Sequence, residues 1–424
     1  MNNRERVKPS GFFYGWWLVL VAGVGLFMGY VPIIGFTFSV FFKSLAQEFK
    51  WSRGEISLAF SISLLALSIA LPIAGRLVDR LGARRIIIPA VLFFGLGLSS
   101  FYFLTSNLWY FYAVYLFLGV VGSGISPVPY YHVISRWFDR RRGLALGLSM
   151  TGAGLSAFIM PSLSYFLISK IGWRLAYVAI ASGVVIVTLL VVAPFLKETP
   201  EEVGLKPDGE DASEGGPTPH KPSFGLSTGE ALRSGTFWVM SSSFFLVSLS
   251  LSGCLIHMVP LLTDRNLSAQ KAALAVSVLG GANLLGRLVT GYLLDHFKAS
   301  YIALYLFSGS ALGILFLWMG MAGNWAFLAA LLIGLGMGAE GDIMAYLIGR
   351  YYGLRAYGEI YGYVLSIYTV GAMIGPIVMG AAFDRTGSYS LILFIFFVAT
   401  LLGSSLITRL GPYRKWEPSA QPAA

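Results

Sequence analysis

The chain has 424 residues, 56% of them hydrophobic and 12% charged, with a formal net charge of +10. Soluble domains carry about 25% charged residues, so this composition excludes a soluble protein with an ordinary polar shell. The positive balance does not imply nucleic acid or another polyanion as partner, because the charges stand between long uncharged runs.

No Asp, Glu, Lys or Arg occurs in 13–42, 86–135, 143–169, 175–196, 234–263, 299–339, 360–383 or 386–408. A spanning helix needs about 20 apolar residues. The first run predicts one uninterrupted helix with no cleavage pattern of a leader behind it. A helix over about 55–76 follows. The run 86–135 holds two helices divided at Thr105-Ser106-Asn107, and 143–169 and 175–196 supply one each. Beyond the polar stretch 197–235, the pattern predicts helices in 234–263 and over about 271–294. Two more follow in 299–339, divided at Gly323-Asn324, and one in each remaining run. The expected fold is an all-α membrane protein with twelve transmembrane helices. More than two-thirds of the 30 Lys and Arg residues fall on the side that holds both termini, which predicts that both are cytoplasmic. The expected location is the cell inner (cytoplasmic) membrane, as a multi-pass monomer in the lipid bilayer.

The helices repeat with a period near 215 residues. GRLVDR at 75–80 returns as GYLLDH at 291–296, and Arg136-Trp137-Phe138 returns as Arg350-Tyr351-Tyr352. Gly143, Gly147, Pro161 and Gly172 return as Gly358, Gly362, Pro376 and Gly387. The expected organisation is two pseudo-symmetric six-helix bundles, 1–196 and 236–424, the second ending in a short cytoplasmic tail. The segment 197–235, rich in Gly, Pro and acids, reads as a mobile cytoplasmic linker. Parallel repeats of this kind are one architecture of alternating-access carriers, with the binding site near the midplane between them.

The segment GRLVDRLGARR at 75–85 resembles the signature of the major facilitator superfamily between its second and third helices, through Gly75, Leu77, Asp79, Arg80, Gly82, Arg84 and Arg85. The resemblance implies that Gly75, Asp79, Arg80 and Arg84, with Asp295 in the second copy and Arg140 in the next basic turn, close the cytoplasmic side. WFDRRRGLALGLSMTGAG at 137–154 and YGWW at 14–17 are similar to signatures of the monocarboxylate transporter branch and its bacterial oxalate/formate-type relatives. Tyr14 stands where many animal members carry an acid, and nothing between Phe13 and Phe42 is charged.

Ionisable groups inside spans are costly and are functional candidates. Arg287 lies eight residues before Asp295, roughly 12 Å deep. Its counterpart in the first repeat is Leu71, and Asn283, one turn earlier on the same face, corresponds to Leu67. A guanidinium forks onto a carboxylate, so Arg287 is a candidate anion ligand; the alternative is an ion pair with a membrane acid. In the resembled branch an arginine of the eighth helix binds the substrate carboxylate, often with Asp or Asn four residues before it. Glu340 and Asp342 lie roughly 12–15 Å deep, opposite Ser126 and Val128 of the first repeat. They are candidates to carry a proton; the alternative is a fixed salt bridge. His257, Tyr30, Tyr130, Tyr131, Tyr361 and Tyr368 are candidate substrate contacts, each offering a hydrogen-bonding group on an apolar wall. The four histidines lack metal-ligand spacing, no GxxxxGK[ST] motif is present, and no cofactor or catalytic constellation is implied. The single cysteine, Cys254, excludes an intrachain disulfide.

The expectation is a secondary active transporter, not an enzyme. It would move a small organic anion, a monocarboxylate such as lactate or pyruvate, with proton symport. Anion exchange of the oxalate/formate type, efflux and a carrier-fold sensor are the alternatives.

Overall fold

A computed structural model describes residues 13–209, 225–321 and 323–413. The basic N-terminal tail, the centre of the linker and the C-terminal tail that the topology argument counted lie outside the described residues. The described residues are predominantly helical. The uncharged run 13–42 does not form one helix: α1 (Tyr14–Phe27) gives way to a π turn at Val31–Gly35, then to α2 (Phe38–Phe49). The reason is local, since Pro32 lacks an N–H and enters at the first turn of the π segment, where glycine flanks it on both sides.

The capping box Ser52/Glu55 starts α3 (Arg53–Leu81), which Gly82 at φ 88° ends before α4 (Ala83–Ser100). The polar break at 105–107 works as a cap: Asn107 accepts from the Trp109 and Tyr110 amides and starts α5 (Leu108–Gly122). A short turn at Ser123–Ile125 leads to α6 (Pro127–Trp137), capped by Ser126. Next, α7 (Arg142–Val187) carries one non-helical residue, Gly172 at φ 77° and ψ 161°, and continues through a π turn into α8 (Ala193–Phe195). The linker adds α9 (Thr228–Arg233). The second half of the chain holds α10 (Gly235–Thr263), α11 (Ala269–His296), α12 (Ala299–Trp318), α13 (Asn324–Tyr352), α14 (Tyr357–Thr386) and α15 (Ser390–Thr408). The break at Gly323-Asn324 is realised as Gly323 at φ 65° before α13.

Eleven segments among the described residues are long and apolar enough to cross a membrane. One of them, Arg142–Phe195, has 54 residues. Large apolar side chains such as Phe158, Trp109 and Leu190 are exposed, a surface suited to lipid contact.

Before the linker α1, α3, α4, α5 and α7 pack on one another; after it α10–α15 do the same. The two groups meet mainly along α3–α14 and α7–α11. Glycine makes these meetings possible. A Cβ on Gly75 would overlap the Gly358 carbonyl oxygen, and one on Gly143 would lie 2.6 Å from the Gly291 carbonyl oxygen. The same device sets α11 against α13, where Gly334 and Gly338, one turn apart, face the Leu279 and Asn283 carbonyls.

The linker is docked where it is described. Glu198 accepts from the Arg84 amide at 2.7 Å, and Asp208 accepts from the Arg140 amide at 3.0 Å and the Asp139 amide at 3.2 Å. On the other flank Gly225 bridges Gly353, and the Leu226 amide donates to the Tyr352 carbonyl at 2.9 Å. The flanks 197–209 and 225–235 are thus hydrogen-bonded to helix ends and turns of both halves. Their acidic and serine side chains find helix ends and turn amides to cap, which a composition argument does not register.

Candidate functional site

Arg287 projects from α11 at the place where α11 and α13 touch. Its Nε donates to Asn283 Oδ1 at 3.3 Å, the one-turn pairing expected from their spacing. A Cβ on Gly341 would stand 4.0 Å from Arg287 Nη1, so the guanidinium lies against the α13 backbone between Glu340 and Asp342. Nη1 is buried with no hydrogen-bond partner.

Both acids are almost wholly buried, Glu340 at 1% exposure and Asp342 at 0%. Each accepts one phenol. Tyr368 on α14 donates to Glu340 Oε2 at 2.9 Å, and Tyr131 on α6 donates to Asp342 Oδ1 at 2.9 Å. The second oxygen of each, Glu340 Oε1 and Asp342 Oδ2, has no partner. Arg287 therefore faces two half-satisfied carboxyls instead of closing a salt bridge with either. Unmet polar atoms at this depth are expensive to keep, and a proton or an anion would relieve them. Tyr361 packs on Tyr131 with ring centroids 5.7 Å apart, and Tyr357 stacks on Tyr361 at 6.0 Å. The structure thus brings Arg287, Asn283, Glu340, Asp342, Tyr131, Tyr361 and Tyr368 together.

The other candidates have different neighbours. Tyr130, next to Tyr131, turns its ring toward Gly25 of α1. Tyr30 shares a hydrogen bond with Ser63 at 2.7 Å and packs near Phe94 and Gly122. His257 bridges Tyr389 at 3.2 Å and the Pro376 carbonyl at 3.1 Å.

At one end of the molecule the repeated motif acts twice. Asp79 accepts from the Gly358 and Glu359 amides, both at 2.8 Å, at the start of α14. Asp295 accepts from the Gly143 and Leu144 amides at 2.8 and 3.0 Å, at the start of α7. Each carboxylate satisfies orphan amides and meets the positive end of a helix from the other half. Buried His132 places Nδ1 3.1 Å from Asp79 Oδ1. Arg76 Nε donates to Glu359 at 2.9 Å, and Arg350 reaches Asp139 at 3.3 Å. Arg80 lines a shallow cavity of about 600 Å³ with Arg76, Asp79, Arg355 and Glu359. Arg84 and Arg140 take part through their backbone amides, which bind linker carboxylates.

Sequence reasoning missed Arg76, Glu359, Asp139, Glu198 and Asp208. Two of these were readable. Arg76 and Glu359 stand where the other repeat has Tyr292 and Leu144, the same kind of mismatch that exposed Arg287.

The sequence model of the Major Facilitator Superfamily matches residues 16–376. Monocarboxylate transporter 11 of Mus musculus is 28% identical over 406 residues, covering 92% of this chain and 86% of that protein. Monocarboxylate transporter 4 of Rattus norvegicus is 26% identical over 415 residues, covering 96% and 84%. Among solved structures, the E. coli fucose:proton symporter superposes with a TM-score of 0.72 at 15% identity, covering 94% of this chain and 99% of that one. A proton:xylose symporter superposes with a TM-score of 0.69 at 15% identity, covering 94% of each. At that identity the structural likeness speaks for the fold alone.

Proposed function

Given that this chain belongs to the Major Facilitator Superfamily, in its monocarboxylate transporter-like branch, we propose that it carries a small monocarboxylate with a proton by alternating access. The observation that carries this reading is Arg287, held by Asn283 with Nη1 unpartnered, beside two carboxyls that each keep an unpartnered oxygen. A substrate carboxylate completes the guanidinium fork. The acids, facing a cation that the substrate now neutralises, hold the proton that travels with it. The tyrosines supply a wall with few hydrogen-bonding groups, which suits a short organic acid such as lactate or pyruvate.

The same reading makes residues 1–196 and 236–424 the two rocking bodies. Twelve crossings result when Arg142–Phe195, about 80 Å if continuous helix, is counted as two about Gly172. Both termini then lie in the cytoplasm. The end closed by Asp79 and Asp295 is then the cytoplasmic gate, shut in the described conformation.

The test is uptake of labelled lactate, pyruvate, formate and oxalate into proteoliposomes, with and without an inward proton gradient. Acid-driven accumulation of a monocarboxylate is expected. Flux seen only against a trans anion would select exchange instead. Arg287→Lys should lower uptake about tenfold or more, because an ammonium cannot present two parallel donors. Uptake near the wild-type rate in that variant would remove Arg287 from the site.

A further inference from the structure

The two buried acids are neighbours on α13 with similar first partners, yet they are wired differently. Tyr368, the donor to Glu340, lies on α14, on the same side of the linker as α13. Tyr131, the donor to Asp342, lies on α6, on the other side. A bond inside one rocking body keeps its geometry through the cycle. A bond between the bodies has to break for the gate to open.

We propose, resting on the proton-coupled reading above, that the Tyr131–Asp342 hydrogen bond is the link between protonation and opening, with Tyr131 as its positioning residue and the Glu340–Tyr368 pair outside that link. A phenol bonded to a carboxylate is charge-assisted and roughly twice as strong as a neutral bond. Asp342 Oδ2, the atom without a partner, is the place for the proton. Once it is there, Oδ1 becomes the carbonyl oxygen of a neutral acid and the cross-body bond weakens. The groups facing Asp342 are Arg287 from α11, Tyr131 from α6 and Tyr361 from α14, with Glu340 on its own helix. An anion on Arg287 takes up the charge that Asp342 otherwise balances, so anion and proton arrive together. Without the proton, an ionised Asp342 keeps α6 tied to α13, so a site that holds the anion alone stays shut. The Asp79 and Asp295 caps add to the closed state but bind backbone amides, so they do not sense the site's charge.

The experiment compares wild type, Tyr131→Phe, Asp342→Asn and Tyr368→Phe in proteoliposomes with labelled lactate. The readout is the ratio of uptake with an inward proton gradient to uptake without one, whatever the absolute rates. Tyr131→Phe keeps the ring against Tyr361 and removes only the donor. The ratio should collapse in Tyr131→Phe, with anion flux persisting uncoupled, and likewise in Asp342→Asn, whose amide imitates the protonated acid. Tyr368→Phe should keep the wild-type ratio. A wild-type ratio in Tyr131→Phe, or a collapse confined to Tyr368→Phe, overturns the assignment while leaving proton coupling in place. A wild-type protein with no proton stimulation overturns both. If Tyr131→Phe does not fold, Asp342→Asn decides: a retained wild-type ratio in it overturns the assignment.

Discussion

Gly75 shows how much one missing methyl group controls. Its α-carbon lies against the Gly358 carbonyl, and an added Cβ would overlap that oxygen. The obstacle is backbone, so no rotamer change relieves it, and α3 and α14 have to part. Overpacking of this kind costs about 1–3 kcal/mol, which shifts the gate equilibrium by about fivefold to 150-fold. Gly75→Ala should therefore favour the state open at this end, seen as faster labelling of a cysteine placed at Ser68, which is buried on α3 against Ser366 of α14, in a Cys254→Ser background. Unchanged labelling would mean that the glycine contact does not hold the gate. Gly75 was readable from its motif, and so were Asp79 and Asp295, because a duplicated motif at a helix end suggests a duplicated task. The choice between Tyr130 and Tyr131 was not readable. Both follow prolines on α6, and adjacent helical residues point about 100° apart. Only the packing of α6 between α1 and α14 settles that Tyr130 meets Gly25 while Tyr131 meets Asp342. Tyr30 and His257, candidates from residue type and helix position, make interior hydrogen bonds to Ser63 and to Tyr389 and the Pro376 carbonyl.

Among the elements, the linker departs most from its composition. Its described flanks grip both halves of the chain, by carboxylate caps on one side and a backbone bridge on the other. Glu230 shows the same chemistry within α9, its carboxyl held below the usual range by the Ser227 side-chain and backbone donors. Asp208 is the informative member. It fixes the amides of Asp139 and Arg140, and Asp139 in turn pairs with Arg350 of α13. Removing a capping carboxylate costs about 0.5–2 kcal/mol. Asp208→Ala should thus speed hydrogen exchange at the Asp139 and Arg140 amides by up to roughly tenfold, while the Gly358 and Glu359 amides capped by Asp79 keep their protection. Equal exchange in variant and wild type at all four amides would reduce the strap to a passive tether. Most spans were legible because hydrophobic run length is a one-dimensional property, but the two helices expected in 143–169 and 175–196 form one segment, Arg142–Phe195. The interruption of the first helix was not, since π and α turns have the same composition and differ only in how Gly29, Pro32 and Gly35 place the backbone.

For the whole molecule, the decisive quantity is the charge carried through the bilayer. Arg287 contributes one positive charge, and Glu340 and Asp342 contribute two acids that share it. Ionised charges in a span are costly, so on the proposed carrier reading the empty site would be neutral as one carboxylate, one carboxylic acid and the guanidinium. An incoming monocarboxylate takes the guanidinium, and the site returns to neutrality only if the remaining carboxylate accepts a proton. On that reading one anion would cross with one proton, and no net charge would move. Uptake driven by a pH gradient should accordingly be insensitive to a potassium diffusion potential set with valinomycin, at fixed internal and external pH. A dianion such as oxalate would move one net negative charge with the same single proton, and its flux would respond to that potential. A monocarboxylate flux that follows the potential would require a different number of protons, and with it a different division of labour between Glu340 and Asp342.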